Sequence, residues 1–237
     1  MFSVKSRTIS AALLTSAAFM GLSGTANAGV VIKSSGPSAS AYPVGKKLPD
    51  SSTVTLREGD TITIMADGGT RVIRGPGTHR VAARGSSKRS TFAALTRQRS
   101  KARVRTGATR APSMSRPNIW MVDVSRSGTM CVPDFGSVQI WRPGFDQGAT
   151  YVLANSSSAA HVHVSFEPKQ MVADWDNARM PLADGASYQI TGPGGGDPAT
   201  VTFAEMGEMP QSPEALAELL LEKGCSGQLD LLADTMM

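Results

Sequence analysis

The sequence predicts a mainly β protein, with a small N-terminal β module, a basic helical linker, and a C-terminal β-sandwich or open barrel finished by two short helices. Three observations carry that expectation. Val, Thr, Ile and Gly recur in short runs punctuated by Pro and Gly, the spacing of strands and turns. Residues 71 to 126 hold 14 Arg or Lys against one acid, Asp123, and interrupt two such regions. Beyond Ser212 the apolar residues switch to a leucine pattern of helical period.

Residues 1–28 read as an export leader. Lys5 and Arg7 precede an apolar run of about 14 residues from Ile9 to Leu22, and Ala26-Asn27-Ala28 places small residues at −3 and −1 before Gly29. The run falls short of the roughly 20 residues that span a bilayer as a helix, although a retained anchor is the alternative. The address that follows is the periplasm or the exterior. Chromosomal nucleic acid is then out of reach, and no transmembrane span is expected after the leader leaves.

From 29 to 83 the pattern is a compact β module. Val30-Val31-Ile32-Lys33 opens it, Gly36-Pro37 turns, and Thr53-Val54-Thr55-Leu56 leads through Glu58-Gly59-Asp60 into Thr61-Ile62-Thr63-Ile64-Met65. In that run Ile62 and Ile64 alternate with Thr61, Thr63 and Met65, a period-two face that can lie on a core. Asp67-Gly68-Gly69 supplies a tight turn into Thr70-Arg71-Val72-Ile73-Arg74, and Gly75-Pro76-Gly77 closes that run. The segment Leu56-x-x-Gly59-Asp60-x-Ile62, with Gly68-Gly69-Thr70 and a further β run after it, resembles the repeated β units of FecR-type periplasmic domains over residues 30 to 83. The resemblance implies a small exported β domain of binding or structural type. That family also has a cytoplasmic anti-sigma segment and a transmembrane helix, neither of which is read here, so its signalling role is not carried over.

Residues 84–117 form the basic linker. Ser90 is placed to cap a helix carrying Phe92, Ala93, Ala94 and Leu95. Arg97, Arg99, Lys101, Arg103 and Arg105 then alternate with uncharged residues, giving one charged face on a strand or charges scattered around a helix. A helix is expected from the Ala and Leu upstream. The segment is either a solvated spacer or a binding surface for an acidic partner: phosphate-bearing lipid, lipopolysaccharide, another envelope component or an acidic protein, with peripheral membrane contact included. Residues 127 to 237, with 14 acids against 4 bases, are the nearest acidic partner.

The second module, 118–237, reads as strands in 118–124, 128–132, 137–141, 150–154, 161–167, 171–175, 187–190 and 200–203. Ser212 then caps a helix with Pro213 at its first position and Leu216, Leu219 and Leu220 on one face, ended by Gly224. A second helix from Ser226 to Asp234 presents Leu229 and Leu232. The only two cysteines, Cys131 and Cys225, are expected to pair in an oxidising compartment, stapling the helices to a strand and contributing up to roughly 4 to 5 kcal/mol. Two buried free thiols are the alternative. Trp120, Trp141 and Trp175 are expected in the core, with Asp174 and Asp176 as a solvated face around Trp175.

One constellation suggests metal chemistry. On a strand, His161, His163, Ser165 and Glu167 project to one side while Val162, Val164 and Phe166 enter the core. Two imidazoles and a carboxylate suit Zn, Mn or Fe, and His-x-His-x-x-x-Glu is similar to the first motif of cupins. The sequence departs from that family: no glycine stands six before His161, position 174 is Asp, and no later histidine supplies a fourth ligand. The competing interpretation is an ordinary polar strand face. No Gly-x-Ser-x-Gly elbow, Cys-x-x-Cys or phosphate loop is present. The expectation is a non-enzymatic binding or scaffolding protein with no cofactor. The alternatives are a metal-dependent enzyme on His161, His163 and Glu167, or a structural protein whose linker is only a spacer. Protein recovered from the envelope is expected to start at Gly29, which N-terminal sequencing checks; an intact Met1 terminus is the contrary result.

Overall fold

The computed structural model describes residues 28–66, 69–81, 89–97, 118–144 and 146–237. The leader through Asn27, the Asp67-Gly68 turn and most of the basic linker lie outside the described residues. Among the described residues the fold is mainly β, 39% strand and 16% helix, in several sheets with two short C-terminal helices.

The first module contains β1 (Ala28–Ser35), β2 (Lys47–Pro49), β3 (Thr53–Leu56), β4 (Thr61–Ala66), β5 (Gly69–Arg74) and β6 (Gly77–Arg80). An antiparallel sheet of order β2-β1-β4-β5 faces a two-stranded β3-β6 ribbon. The alternation in β4 sends Ile62 and Ile64 toward the ribbon, where they pack with Val31, Leu48, Val54, Leu56, Ile73 and Val81. β2 and β6 were not anticipated. The first carries the weakly β-forming Lys-Leu-Pro, and the second the polar Gly-Thr-His-Arg, so neither has a hydrophobic signature.

Asp60 ties the turns of this module together. Its carboxylate accepts from the backbone N–H of Ser38, at 2.8 Å, and from that of Arg57, while the Gly75 N–H donates to its carbonyl at 3.0 Å. Burial pushes the carboxyl pKa up, but the donors from Ser38 and Arg57 outweigh it and hold the group below the usual carboxylate range. Gly59, at φ 83°, supplies the left-handed turn before it. A Cβ on Gly36 would lie 2.5 Å from the Asp60 carboxylate, so the Gly36-Pro37 turn can dock there only without a side chain.

In the second module, β8 (Gly128–Val132), β10 (Ala149–Asn155), β11 (His161–Phe166), β13 (Ser187–Thr191) and β14 (Ala199–Glu205) form a sheet of order β11-β10-β13-β14-β8. β7 (Met121–Asp123), β9 (Gln139–Trp141) and β12 (Val172–Asp174) form a second, ordered β12-β9-β7. Apolar residues from both fill the sandwich, among them Val122, Ile140, Leu153, Val164, Phe166 and Ile190. Trp175, Tyr188 and Phe203 meet edge to face at 5.2 to 5.6 Å. All three tryptophans are buried. Asp174 and Asp176 stay on the rim, bonded to Gln139 and paired with Arg179 respectively.

Helices complete the fold. Ser212 caps α2 (Pro213–Glu222) by accepting from the Ala215 N–H, Gly224 turns at φ 72°, and α3 (Ser226–Thr235) follows. α1 (Arg89–Thr96) lies in the basic stretch, with Ser90 inside its first turn rather than before it, a boundary shift of the size that frayed helix ends allow. The helices form a layer between the two β units. Leu95 of α1, Leu216, Ala217 and Leu220 of α2, and Leu229 and Leu232 of α3 pack with Val30, Ile32 and Met65 from one side and Cys131 and Met206 from the other. The modules therefore share a core. Lys33 to Asp230 (2.7 Å) and Lys47 to Glu218 (2.6 Å) bridge the contact, and the Thr70 N–H donates to the Met236 carbonyl at 2.9 Å. These lysines precede the arginine-rich stretch, and both pairs are half-exposed, worth at most about 1 kcal/mol each.

Two devices lock α3 onto β8. Cys131 and Cys225 form the disulfide, with Cα atoms 5.9 Å apart. Beside it Gln228, 1% exposed, accepts the Cys131 N–H at 2.7 Å and donates to the carbonyls of Cys131 (2.8 Å) and Ile119 (3.0 Å). The amide satisfies the outer edge of β8 as a neighbouring strand would. Gln228→Ala would strand three buried backbone groups, and a loss of roughly 2 to 4 kcal/mol is expected. A lower urea midpoint at constant m-value checks this; an unchanged midpoint contradicts it.

Candidate functional site

The described residues on either side of 98–117 meet at one point. Asn118 Nδ2 donates to the Arg97 carbonyl, the Ile119 N–H to the Leu95 carbonyl at 3.2 Å, and Trp120 Nε1 to the Thr96 carbonyl at 2.8 Å. Asn118 also folds back, its Oδ1 accepting from the Trp120 N–H at 2.8 Å. Leu95 and Trp120 bury the junction in the helical layer, where Phe92 packs as well. The chain between these stems, 98–117, carries six Arg or Lys and no acid. Of the five residues singled out from sequence, Arg97 is exposed at the stem, while Arg99, Lys101, Arg103 and Arg105 lie outside the described residues. Asn118 gave no signal in sequence, because an Asn between Pro117 and Ile119 reads as a turn residue whatever it bonds.

The histidine strand has the predicted alternation. Val162, Val164 and Phe166 are buried, whereas His161, His163 and Ser165 are exposed on β11, with His161 and His163 ring centres 5.6 Å apart. Glu167 lies past the strand end, in a turn held by its own backbone: its N–H donates to Gln170 Oε1 at 2.9 Å and its carbonyl accepts from Arg142 at 3.1 Å. Arg142 is buried against the Phe166 ring and also donates to the Gln170 carbonyl. Sequence reasoning missed it, since a lone Arg after Trp141 carries no pattern. Among the described residues no three His, Cys, Asp or Glu side chains form a group able to hold a metal ion.

A cleft of about 270 Å³ opens between β8 and the start of α3, lined by Asp123, Arg126, Ser127, Thr129, Ser226 and Asp230 among others. That is near the small end of ligand-pocket volumes. Its charges are engaged: Asp123 accepts from Ser125 and faces Arg126 at 3.8 Å, and Asp230 holds Lys33.

Ala28 and Gly29, the expected cleavage pair, sit in β1 opposite Pro49 and Leu48. A Cβ on Gly29 would lie 2.8 Å from Ile64 Cγ2. Cleavage at that bond requires an unpaired strand, so it would have to precede closure of the first sheet. Among the described residues no helix is long and apolar enough to cross a membrane.

The chain matches no family model, no curated protein and no solved structure. Its FecR-type and cupin-type resemblances therefore rest on the residues quoted for them.

Because Arg97 and Asn118 are bonded to each other, the segment between them does not set the distance between the modules. Replacing 98–117 with about four Gly or Ser residues is expected to leave stability unchanged or to raise it by about 1 kcal/mol, the smaller closure entropy of a shorter loop. Chemical denaturation checks this, and a loss of several kcal/mol is the contrary result.

Proposed function

We propose that the protein is an exported, non-enzymatic binding or scaffolding protein whose basic segment, 84–117, contacts an acidic surface of the cell envelope. One observation supports this above the others: the hydrogen bond between Asn118 and Arg97 closes the segment between them, so 98–117 need not bridge the modules, while its sequence holds six cationic side chains and no acid. A spacer needs neither the closure nor the charge. The disulfide and the exposed polar surface are compatible with an oxidising extracytoplasmic location. An arginine-rich segment whose two ends are hydrogen-bonded together suits phosphate-bearing lipid or lipopolysaccharide, where each basic side chain near an anionic surface adds about 1 kcal/mol and salt screens the attraction.

The metal-enzyme alternative gains nothing from the geometry. Its third ligand, Glu167, belongs to a turn beyond the strand, and no convergent group forms with the two imidazoles among the described residues.

The test is co-sedimentation with vesicles of anionic lipid and with lipopolysaccharide, against zwitterionic vesicles. Binding to the anionic surfaces is expected to fall with salt and to weaken on the order of 10³-fold when Arg97, Arg99, Arg103 and Arg105 are replaced by Glu. Equal binding by the parent and this variant, or equal binding to zwitterionic vesicles, sinks the proposal. An acidic envelope protein recovered only with the parent, without lipid binding, would keep the surface and change its partner.

A further inference from the structure

We propose that His161 and His163 form an open two-imidazole chelate for a borderline divalent transition-metal ion, Cu²⁺ above all. This is independent of the basic segment. Strand alternation puts both rings on the exposed face of β11, 5.6 Å apart between centres and inclined at 69°. With metal–nitrogen bonds of about 2.0 to 2.1 Å, an ion stands about 3 Å from each ring centre and in the ring plane, so the edge-to-face rings turn about their side-chain torsions for one ion to reach both, a turn that their exposure on β11 allows.

The surroundings leave the rings free to do this. His161 Nδ1 lies 3.3 Å from the Ala159 carbonyl oxygen. A carbonyl only accepts, so this contact puts the proton on Nδ1 and leaves the Nε2 lone pair for an ion, the orienting hydrogen bond that metal-binding histidines use. Across β10 the two histidines face Ala154 and Val152, which offer no competing polar group. β11 is the end strand of its sheet, so no hydrogen-bonded strand crowds the other flank.

The donor set selects the ion. Two imidazoles with neither thiolate nor carboxylate favour Cu²⁺ over Ni²⁺ and Zn²⁺ by the Irving–Williams order, whereas Mn²⁺ needs harder oxygen ligands. Water completes the coordination sphere. With only two protein donors the ion exchanges readily, which suits capture and release rather than a permanent cofactor.

Calorimetric titration of the purified protein with Cu²⁺ in a non-coordinating buffer, paired with electron paramagnetic resonance, tests the site. One equivalent is expected to bind with two imidazole nitrogens in the spectrum, more tightly than Ni²⁺ or Zn²⁺. His161→Ala, His163→Ala and the polar variant His163→Asn should each weaken it by an order of magnitude or more, with thermal melting unchanged because both positions are exposed. His79→Ala should leave binding intact. Binding as tight in the His161 or His163 variants as in the parent, loss of binding in His79→Ala, or a Zn²⁺ affinity above that for Cu²⁺ would overturn the proposal.

Discussion

The fold depends on a sheet that is apolar on both sides. In β1, Val31 faces the β3-β6 ribbon while Val30 and Ile32 face the helices; in β4, Ile62 and Ile64 take the first side and Met65 the second. A 55-residue β unit with a bare apolar face would lie at the lower limit of what folds alone. Here that face is covered by α2 and α3, whose Leu216, Leu220 and Leu232 are fully buried, each worth roughly 1.5 to 3 kcal/mol on transfer from water. The helices in turn are fastened to the second module at β8 by the Cys131–Cys225 bond and the Gln228 amide, which also bonds the Ile119 carbonyl. The first module is thus stabilised through helices, Pro213–Glu222 and Ser226–Thr235, that lie at the far end of the chain.

That arrangement explains where the two ends of the basic segment meet. Leu95 and Trp120 belong to the same helical layer, so the stems at Arg97 and Asn118 are anchored in the core that both β units share. The charge asymmetry of the sequence does not collapse onto itself in the described contacts. Among the described residues, the ion pairs that join the two modules use Lys33 and Lys47.

Much of the β content was legible because it follows period two with clear punctuation. The alternations 61–65 and 161–166, the Gly59-Asp60 turn, the Ser212-Pro213 helix start and the leucines of α2 and α3 all announce themselves locally, and two cysteines leave one possible pairing. What escaped was long-range. β2 and β6 are strands only because β1 and β3 offer them partners, and β8 and β7 pair in parallel with β14 and β9, which no hairpin signal announces. Gln228 looks like any polar residue in a helix, and Arg142 like any surface cation; each is defined by a backbone group distant in sequence. The histidine pair was visible and its face correct, but the end of the strand at Phe166, set by the Arg142 contact to the following turn, decides that Glu167 does not join it in a metal-holding group.

Native-state hydrogen exchange under increasing urea tests the shared core most directly. If the helical layer makes the two β units one cooperative structure, the amides of Val31 and Ile64 in the first sheet and of Leu153 and Ile190 in the sandwich will converge on one opening free energy with one urea dependence. Exchange of Val31 and Ile64 through a smaller, separate opening while the sandwich amides stay protected would contradict it.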